Sequence, residues 1–110
     1  MAFYECTFIA RQDLAPNDVE KLTDNLVAIL EKNGAKIIKR ESWGLRPLAY
    51  EINKNRKGHY VMLGIEASEE ALAPYRMEIR LSEETIRSLE IKVDEMDSSK
   101  PSIMMRDEAA

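Results

Sequence analysis

Near its amino-terminal end the chain changes from a strand-like pattern to a helical one. Residues 3–10, FYECTFIA, are rich in aromatic and branched side chains, which predicts a first β-strand. Between residues 16 and 33, apolar side chains recur every three or four positions, the period of a helix with one buried face. They are Val19, Leu22, Leu26, Ile29 and Leu30. Asn33 and Gly34 follow, and a glycine suits the left-handed residue that closes a helix.

A long and interrupted strand is predicted at residues 35–52. It contains Gly44 and Pro47, and proline cannot donate a hydrogen bond to a central ladder. We therefore expect a strand at the edge of a sheet, with a bulge. Residues 53–58 are polar and predict a tight turn, and residues 59–67 alternate as a third strand. The two strands and their turn predict an antiparallel hairpin.

The remaining pattern predicts a second helix, a fourth strand and a tail. Ser68 is a suitable N-cap for a helix that ends near Leu81. Residues 85–93 alternate as a strand, and they end a domain that spans residues 1–93. Residues 94–110, DEMDSSKPSIMMRDEAA, carry five acids and two bases and predict an acidic, flexible C-terminal tail. The Ile103-Met104-Met105 cluster is either incidental in such a tail or a docking segment that orders against a partner.

The predicted order of elements is β-α-β-β-α-β. This order indicates an α+β fold of the ferredoxin-like, split βαβ type. Right-handed crossovers would place both helices on one face of a four-stranded antiparallel sheet. The other face is then left open, and we expect it to be lined by Glu5, Thr7, Ile9, Tyr60, Met62 and Lys92. This open face and the edge strand are the large surfaces that the fold leaves available.

Composition excludes several kinds of chemistry. Cys6 is the single cysteine, so no internal disulfide forms, and its apolar neighbours predict a buried, unreactive thiol. With one histidine as well, a zinc site lacks ligands, and we expect neither metal nor cofactor. His59 is expected to lie on the surface at the start of a strand rather than to act as a base. No basic leader or long apolar run is present, which favours the cytoplasm.

Charge is distributed unevenly along the chain. Residues 36–57 contain seven of the sixteen basic residues, two of the twenty acids and the single tryptophan, in a chain of net charge −4. Lysine and arginine neutralise phosphates, and flat aromatic rings stack on bases or riboses. The candidate RNA-binding residues are Lys39, Arg40, Trp43, Arg46, Tyr50, Lys54, Arg56 and Lys57. The competing interpretation is that the basic residues protect a sheet edge from aggregation while Trp43 fills the core.

Several motifs give the chain a family resemblance. The run WGLRPLAYEI at residues 43–52 combines a bulge glycine, a base and an aromatic residue, and it is the most specific of them. Tyr4-Glu5, the Asn33-Gly34-Ala35 turn, Gly58-His59-Tyr60 and RLSEETIRSLEIKVDE match in style. On these residues the chain resembles the family of protein six of the bacterial small ribosomal subunit, over roughly residues 3–93.

The resemblance implies a ferredoxin-like fold and no enzymatic activity. It also implies binding to the central domain of 16S ribosomal RNA, together with ribosomal protein eighteen, a small basic neighbour. Arg46 falls on the family's basic motif position. Pro47 stands where many relatives have a second base, so one phosphate contact is expected to be missing.

Three other functions compete with a ribosomal role. A ligand-sensing regulatory domain of the same fold would form a homodimer that responds to a small molecule. An acyl-phosphate hydrolase would need an anion-cradling loop, for which Arg11 and Asn17 are available without a glycine-rich turn. An autonomous RNA reader would need stacked aromatic rings on the middle strands, and there only Tyr60 is suitably placed.

Overall fold

The computed structural model describes residues 2–52 and 54–94, with Ala49 and Ile52 described by their backbone alone. The predicted tail therefore lies outside the described residues from position 95 onward. The six elements follow in the predicted order. They are β1 (Ala2–Arg11), α1 (Pro16–Lys32), β2 (Lys36–Ile52), β3 (Asn55–Ala67), α2 (Glu69–Leu81) and β4 (Thr85–Val93).

The four strands form one antiparallel sheet in the order β2-β3-β1-β4. Both helices pack on the same face of the sheet, and this confirms the predicted ferredoxin-like fold. Opposite residues of paired strands point to the same face, so the register assigns every side chain to one side. The helix-side core contains Tyr4, Cys6, Phe8 and Ala10 of β1, Val61, Leu63, Ile65 and Ala67 of β3, and the buried stripes of both helices.

The helix ends follow from local chemistry. Pro16 occupies the first turn of α1, where its missing N–H removes no helical hydrogen bond. Asn33 caps the other end, and Gly34 has φ +92°, the left-handed conformation that glycine adopts without strain. At α2, the Ser68 hydroxyl accepts a hydrogen bond from the Ala71 N–H at 3.2 Å. The predicted N-cap and the predicted glycine cap are both confirmed.

The β2–β3 hairpin is longer than its sequence indicates. β3 begins at Asn55, so the predicted turn over residues 53–58 is wrong for most of its length. Pairing of Pro47 with Lys57 and of Ile52 with Asn55 continues the ladder to the end of the hairpin. For the same reason His59 lies inside a strand and is buried, contrary to the expected surface position, and its Nε2 is 2.9 Å from the Leu14 carbonyl oxygen.

β2 is an irregular edge strand, as predicted. Its pairing with β3 shifts register at three places, one of them between Ser42 and Gly44. Gly44 has φ +80°, so the bulge uses the conformational freedom of glycine. Each shift changes which face the following residues occupy. The basic residues of β2 are therefore divided between the two faces of the sheet.

β4 presents its apolar side away from the helices. Lys92 is paired with Tyr4 and Glu90 with Cys6, both on the helix side. The predicted position of Lys92 on the open face is therefore wrong, whereas Glu5, Thr7, Ile9, Tyr60 and Met62 do lie on that face. The open side of β4 carries Leu89, Ile91 and Val93 instead, which pair with Thr7, Glu5 and Phe3.

An ion cluster explains why β4 can turn polar residues toward the helices. Arg76 of α2 donates to both carboxylate oxygens of Glu90 at 2.8–3.1 Å and to Glu69 at 3.0 Å. The Tyr4 hydroxyl donates to the other oxygen of Glu69 at 2.9 Å, and this bond, followed by those from Arg76, lowers the pKa of Glu69. The polar side of β4 is thus satisfied against α2, and its apolar side faces outward.

The side chain of Ile9 lies directly over Gly58. A Cβ added at Gly58 would overlap Ile9 Cγ2 and approach the Ala10 carbonyl oxygen to 3.3 Å. We expect Gly58→Ala to lower the free energy of unfolding by about 1–3 kcal/mol, the usual cost of overpacking. Urea unfolding measures this loss. Adding Ile9→Ala should make the Gly58→Ala change much less costly, and additive losses would contradict the assigned contact.

Alkaline pH should destabilise the fold through Cys6. Burial, with a smaller contribution from Glu90, raises the pKa of the thiol to about 12. Because the unfolded thiol ionises near pH 9, the unfolded state loses its proton first as pH rises. The stability present below pH 9 should therefore fall by up to about 1.4 kcal/mol per pH unit between pH 9 and 12. Urea unfolding under reducing conditions should show a shallower decline for Cys6→Ala, and equal slopes would exclude this assignment.

Candidate nucleic-acid interface

The end of the β2–β3 hairpin is held by one side chain of the loop after β1. We call residues 47–52 and 54–57 the hairpin end. Gln12 Oε1 accepts hydrogen bonds from the Arg56 and Lys57 N–H groups at 3.2 and 3.1 Å, and the Gln12 N–H donates to Asn55 Oδ1 at 3.2 Å. These three bonds fix the returning strand against β1. The hairpin end is therefore an ordered projection rather than a loose loop.

The hairpin end bends across the open face of the sheet. The Tyr50 hydroxyl accepts a hydrogen bond from Arg87 Nη1 at 2.7 Å. Tyr50 belongs to β2 and Arg87 to β4, the two opposite edges of the sheet, so the chain must cross over β3 and β1 to make this contact. Leu48 also lies near Gly58 on this face. Arg87 was not among the predicted site residues, and only the three-dimensional crossing reveals it.

Three predicted cations are exposed together at the hairpin end. Lys54, Arg56 and Lys57 all have exposed side chains within four consecutive positions of the turn and returning strand. Lys54 has φ +66°, so the turn bends sharply there. Closely spaced cations on an ordered projection can contact successive phosphates of a nucleic acid. This trio is the strongest feature of the predicted site.

Trp43 and Arg46 form a second group, on the open face. The Trp43 ring stacks on Tyr60 with centroids 6.0 Å apart and planes 16° apart, and the Arg46 guanidinium lies 5.6 Å from the Trp43 centroid. Trp43 Nε1 donates to Glu41 Oε1 at 2.8 Å, and Arg46 Nε donates to the Trp43 carbonyl oxygen at 3.3 Å. The ring is partly exposed and held in place, so it neither fills the helix-side core nor moves freely.

Lys39 and Arg40 are separated from the hairpin end. Lys39 lies on the open face, with its side chain 8% exposed and its Nζ 3.9 Å from Glu41 Oε2. Arg40 points to the helix side, where its Nη1 is 2.8 Å from Asp24 Oδ1 of α1. The structure thus divides the eight predicted residues into the exposed trio, the open-face group with Tyr50, and these two carboxylate-paired cations.

An apolar strip along β4 is a further surface that the sequence did not identify. Leu89 is 44% exposed, and Ile91 and Val93 beside it are partly exposed on the open face. Apolar side chains on an edge strand that faces away from the core are typical of protein interfaces. The alternation of residues 85–93 was visible, but its orientation depended on pairing with β1.

Comparison with known proteins agrees with this architecture. The sequence profile of ribosomal protein S6 matches residues 3–92. The chain belongs to the ribosomal protein S6 family. Small ribosomal subunit protein bS6 of Bradyrhizobium diazoefficiens is 47% identical over 106 residues, covering 96% of this chain and 63% of that protein. Its counterpart in Rickettsia canadensis is 43% identical over 109 residues, covering 99% and 89%.

A solved S6 structure has the same fold. The crystal structure of 30S ribosomal protein S6 from Thermotoga maritima superposes with a TM-score of 0.80 at 28% identity, covering 84% of this chain and 87% of that one. The present chain spans about two thirds of the length of the Bradyrhizobium relative. The S6 match covers both the hairpin end and the apolar strip of β4.

Other kinds of site find no support in the described part of this S6 family member. Across residues 2–52 and 54–94, no group of three or more potential ligands is placed to hold a metal ion. Within the same residues, neither helix combines the length and the apolar character needed to span a bilayer. Arg11, which an acyl-phosphate hydrolase would need for its anion, lies 3.4 Å from Asp13.

Proposed function

We propose that the chain is a structural constituent of the small ribosomal subunit that binds the central domain of 16S ribosomal RNA together with ribosomal protein eighteen. The observation that carries this proposal is the exposed trio of Lys54, Arg56 and Lys57 on a hairpin end fixed by Gln12. Membership of the ribosomal protein S6 family supports it. The chain acts in the cytoplasm, within the ribosome, and carries out no enzymatic reaction.

RNA is contacted through its phosphates and its shape. The trio lies on one projection, with spacing that suits a bent RNA backbone, and long lysine and arginine side chains reach phosphate oxygens without reading base edges. Arg46 extends the same positive region onto the open face. Most of the remaining surface is acidic, so RNA is bound on one flank only.

The second partner contacts the open face beside β4. Leu89 and its apolar neighbours supply the area that is removed from water, and the acids outside the hairpin complement a small basic protein. Tyr50 and Arg87 connect this face to the hairpin end, so the two surfaces share side chains. Binding of protein eighteen therefore favours the hairpin geometry that RNA requires, which is positive coupling between the two partners.

Filter binding tests this proposal directly. A central-domain fragment of 16S ribosomal RNA is titrated with the purified chain, with purified protein eighteen, and with both. We expect the pair to bind tighter than either alone by about 5–150-fold, the usual range of coupling between sites. An RNA of equal length from another domain serves as the control.

Two outcomes would overturn the proposal. The first is equal binding of the two RNAs by the pair, which would reduce the effect to nonspecific charge. The second is a stable homodimer in light scattering that changes with an added small molecule and does not associate with protein eighteen. That result would favour a ligand-sensing domain.

A further inference from the structure

The centre of the open face is buried, although both helices lie on the other side of the sheet. Met62 is fully buried and Thr7 is 4% exposed, and these two residues are directly paired across β3 and β1. Glu5, in the next row, is also 4% exposed. Side chains on an uncovered sheet face remain partly accessible to water. Something therefore shields these two rows.

The contacts described for the hairpin end lie farther down the sheet. Leu48 lies near Gly58, and Tyr50 contacts Arg87, which is paired with Ile9. These contacts account for the low exposure of Ile9. Met62 lies one row beyond Ile9, and Glu5 lies two rows beyond it. Among residues 2–52 and 54–94, no helix or strand is stacked on this face.

The chain itself continues from a point beside these rows. β4 ends at Val93, which is paired with Phe3, one row from Glu5. Residues 95–110 follow, and an extended segment of that length reaches about 50 Å, whereas crossing the sheet from β4 to β2 requires about 15 Å. The only strongly apolar part of this segment is Ile103-Met104-Met105. Both reach and composition suit a return across the open face.

Charge supports the same path. Asp94, Glu95 and Asp97 leave β4 together. The rows that they would cross carry Lys36 and Lys39 on β2, both on the open side of the sheet. Opposite charges along this path would guide the segment over the face, whereas the helix side near β4 carries Glu69 and Glu90.

We propose that residues 95–110 fold back across the open face, with Ile103, Met104 and Met105 covering Met62, Thr7 and Glu5. The occupant is the chain's own segment, bound within one molecule. Leu89 remains exposed outside the covered rows. The strap and the apolar strip of β4 thus lie side by side. This inference does not depend on the proposed ribosomal function.

A spin label placed in the segment tests the contact. The variant Met104→Cys of the full chain is labelled with a nitroxide, while buried Cys6, with its pKa raised to about 12, stays unmodified. We expect loss of amide signal intensity for Thr7, Met62 and their row neighbours in nitrogen-15 spectra, restored when the label is reduced. Ala28, on the exposed side of α1, should keep its intensity.

Matched variants separate apolar docking from charge. Adding Ile103→Asp and Met105→Asp to the labelled chain should restore the open-face signals, whereas Ser98→Asp and Ser102→Asp, which add the same charge, should leave the loss in place. Signal loss confined to residues near Val93 would overturn the proposal. So would loss that appears when labelled chain is mixed with unlabelled nitrogen-15 chain, because a second copy would then cover the face.

Discussion

Replacing Lys54, Arg56 and Lys57 together with glutamine should weaken binding of the central-domain RNA by about 10–1,000-fold near physiological salt. All three side chains are exposed and lie on the part of the hairpin that Gln12 holds in place. Each cation that no longer meets a phosphate also removes about 0.7–0.9 from the slope of log K against log salt. Filter binding at several salt concentrations measures both the loss and the change of slope, which should become shallower by about two to three.

A charge-matched control separates contact from net charge. Lys21, Lys32 and Arg80 are exposed on the helices, away from the hairpin, and replacing them with glutamine changes the net charge by the same amount. This control variant should keep its salt slope and most of its RNA affinity. If both triple variants lose affinity equally, RNA responds to the overall field of the protein and the hairpin end is not the contact. Urea unfolding should show that neither variant is much destabilised.

The elements of this fold were predictable because each has a clear period. The stripe of α1 from Val19 to Leu30 and the alternation of β3 after His59 are determined by burial on one side, which leaves a direct mark on the sequence. Gly44 and Pro47 identified β2 as an irregular edge strand, since a central strand would lose a ladder bond at proline. The candidate region itself was visible as a concentration of charge.

The facing of particular side chains was not predictable, because it depends on pairing between distant strands. The alternation of β4 is equally clean in either orientation, and apolar-inward is the ordinary choice. Here Arg76 satisfies Glu90 on the helix side, so Leu89 and its neighbours face outward and Lys92 does not. Likewise, the bulges of β2 separate Arg40 from Arg46, although both lie in one basic stretch. Local sequence carries no record of such register shifts.

The strip on β4 leads to the second large expected effect. Leu89→Asp should weaken association with protein eighteen by about 30-fold or more, because truncated or charged hot-spot positions typically cost at least 2 kcal/mol. Leu89 is 44% exposed in the free chain, so the same change should lower the free energy of unfolding by less than about 1 kcal/mol. Isothermal titration of the variant with purified protein eighteen measures the affinity, and urea unfolding measures the stability.

Leu81→Asp provides the matched comparison. Leu81 is 70% exposed at the end of α2, on the helix side of the sheet, and the substitution introduces the same charge on the same residue type. If the partner binds the open face, Leu81→Asp leaves the affinity unchanged while Leu89→Asp does not. Equal weakening by both would mean that a basic partner is sensing added charge, and the direction would then be opposite, since added acids attract it. A selective loss at Leu89 can therefore come only from the apolar contact itself, and it would make the outward orientation of β4 a functional property of the fold.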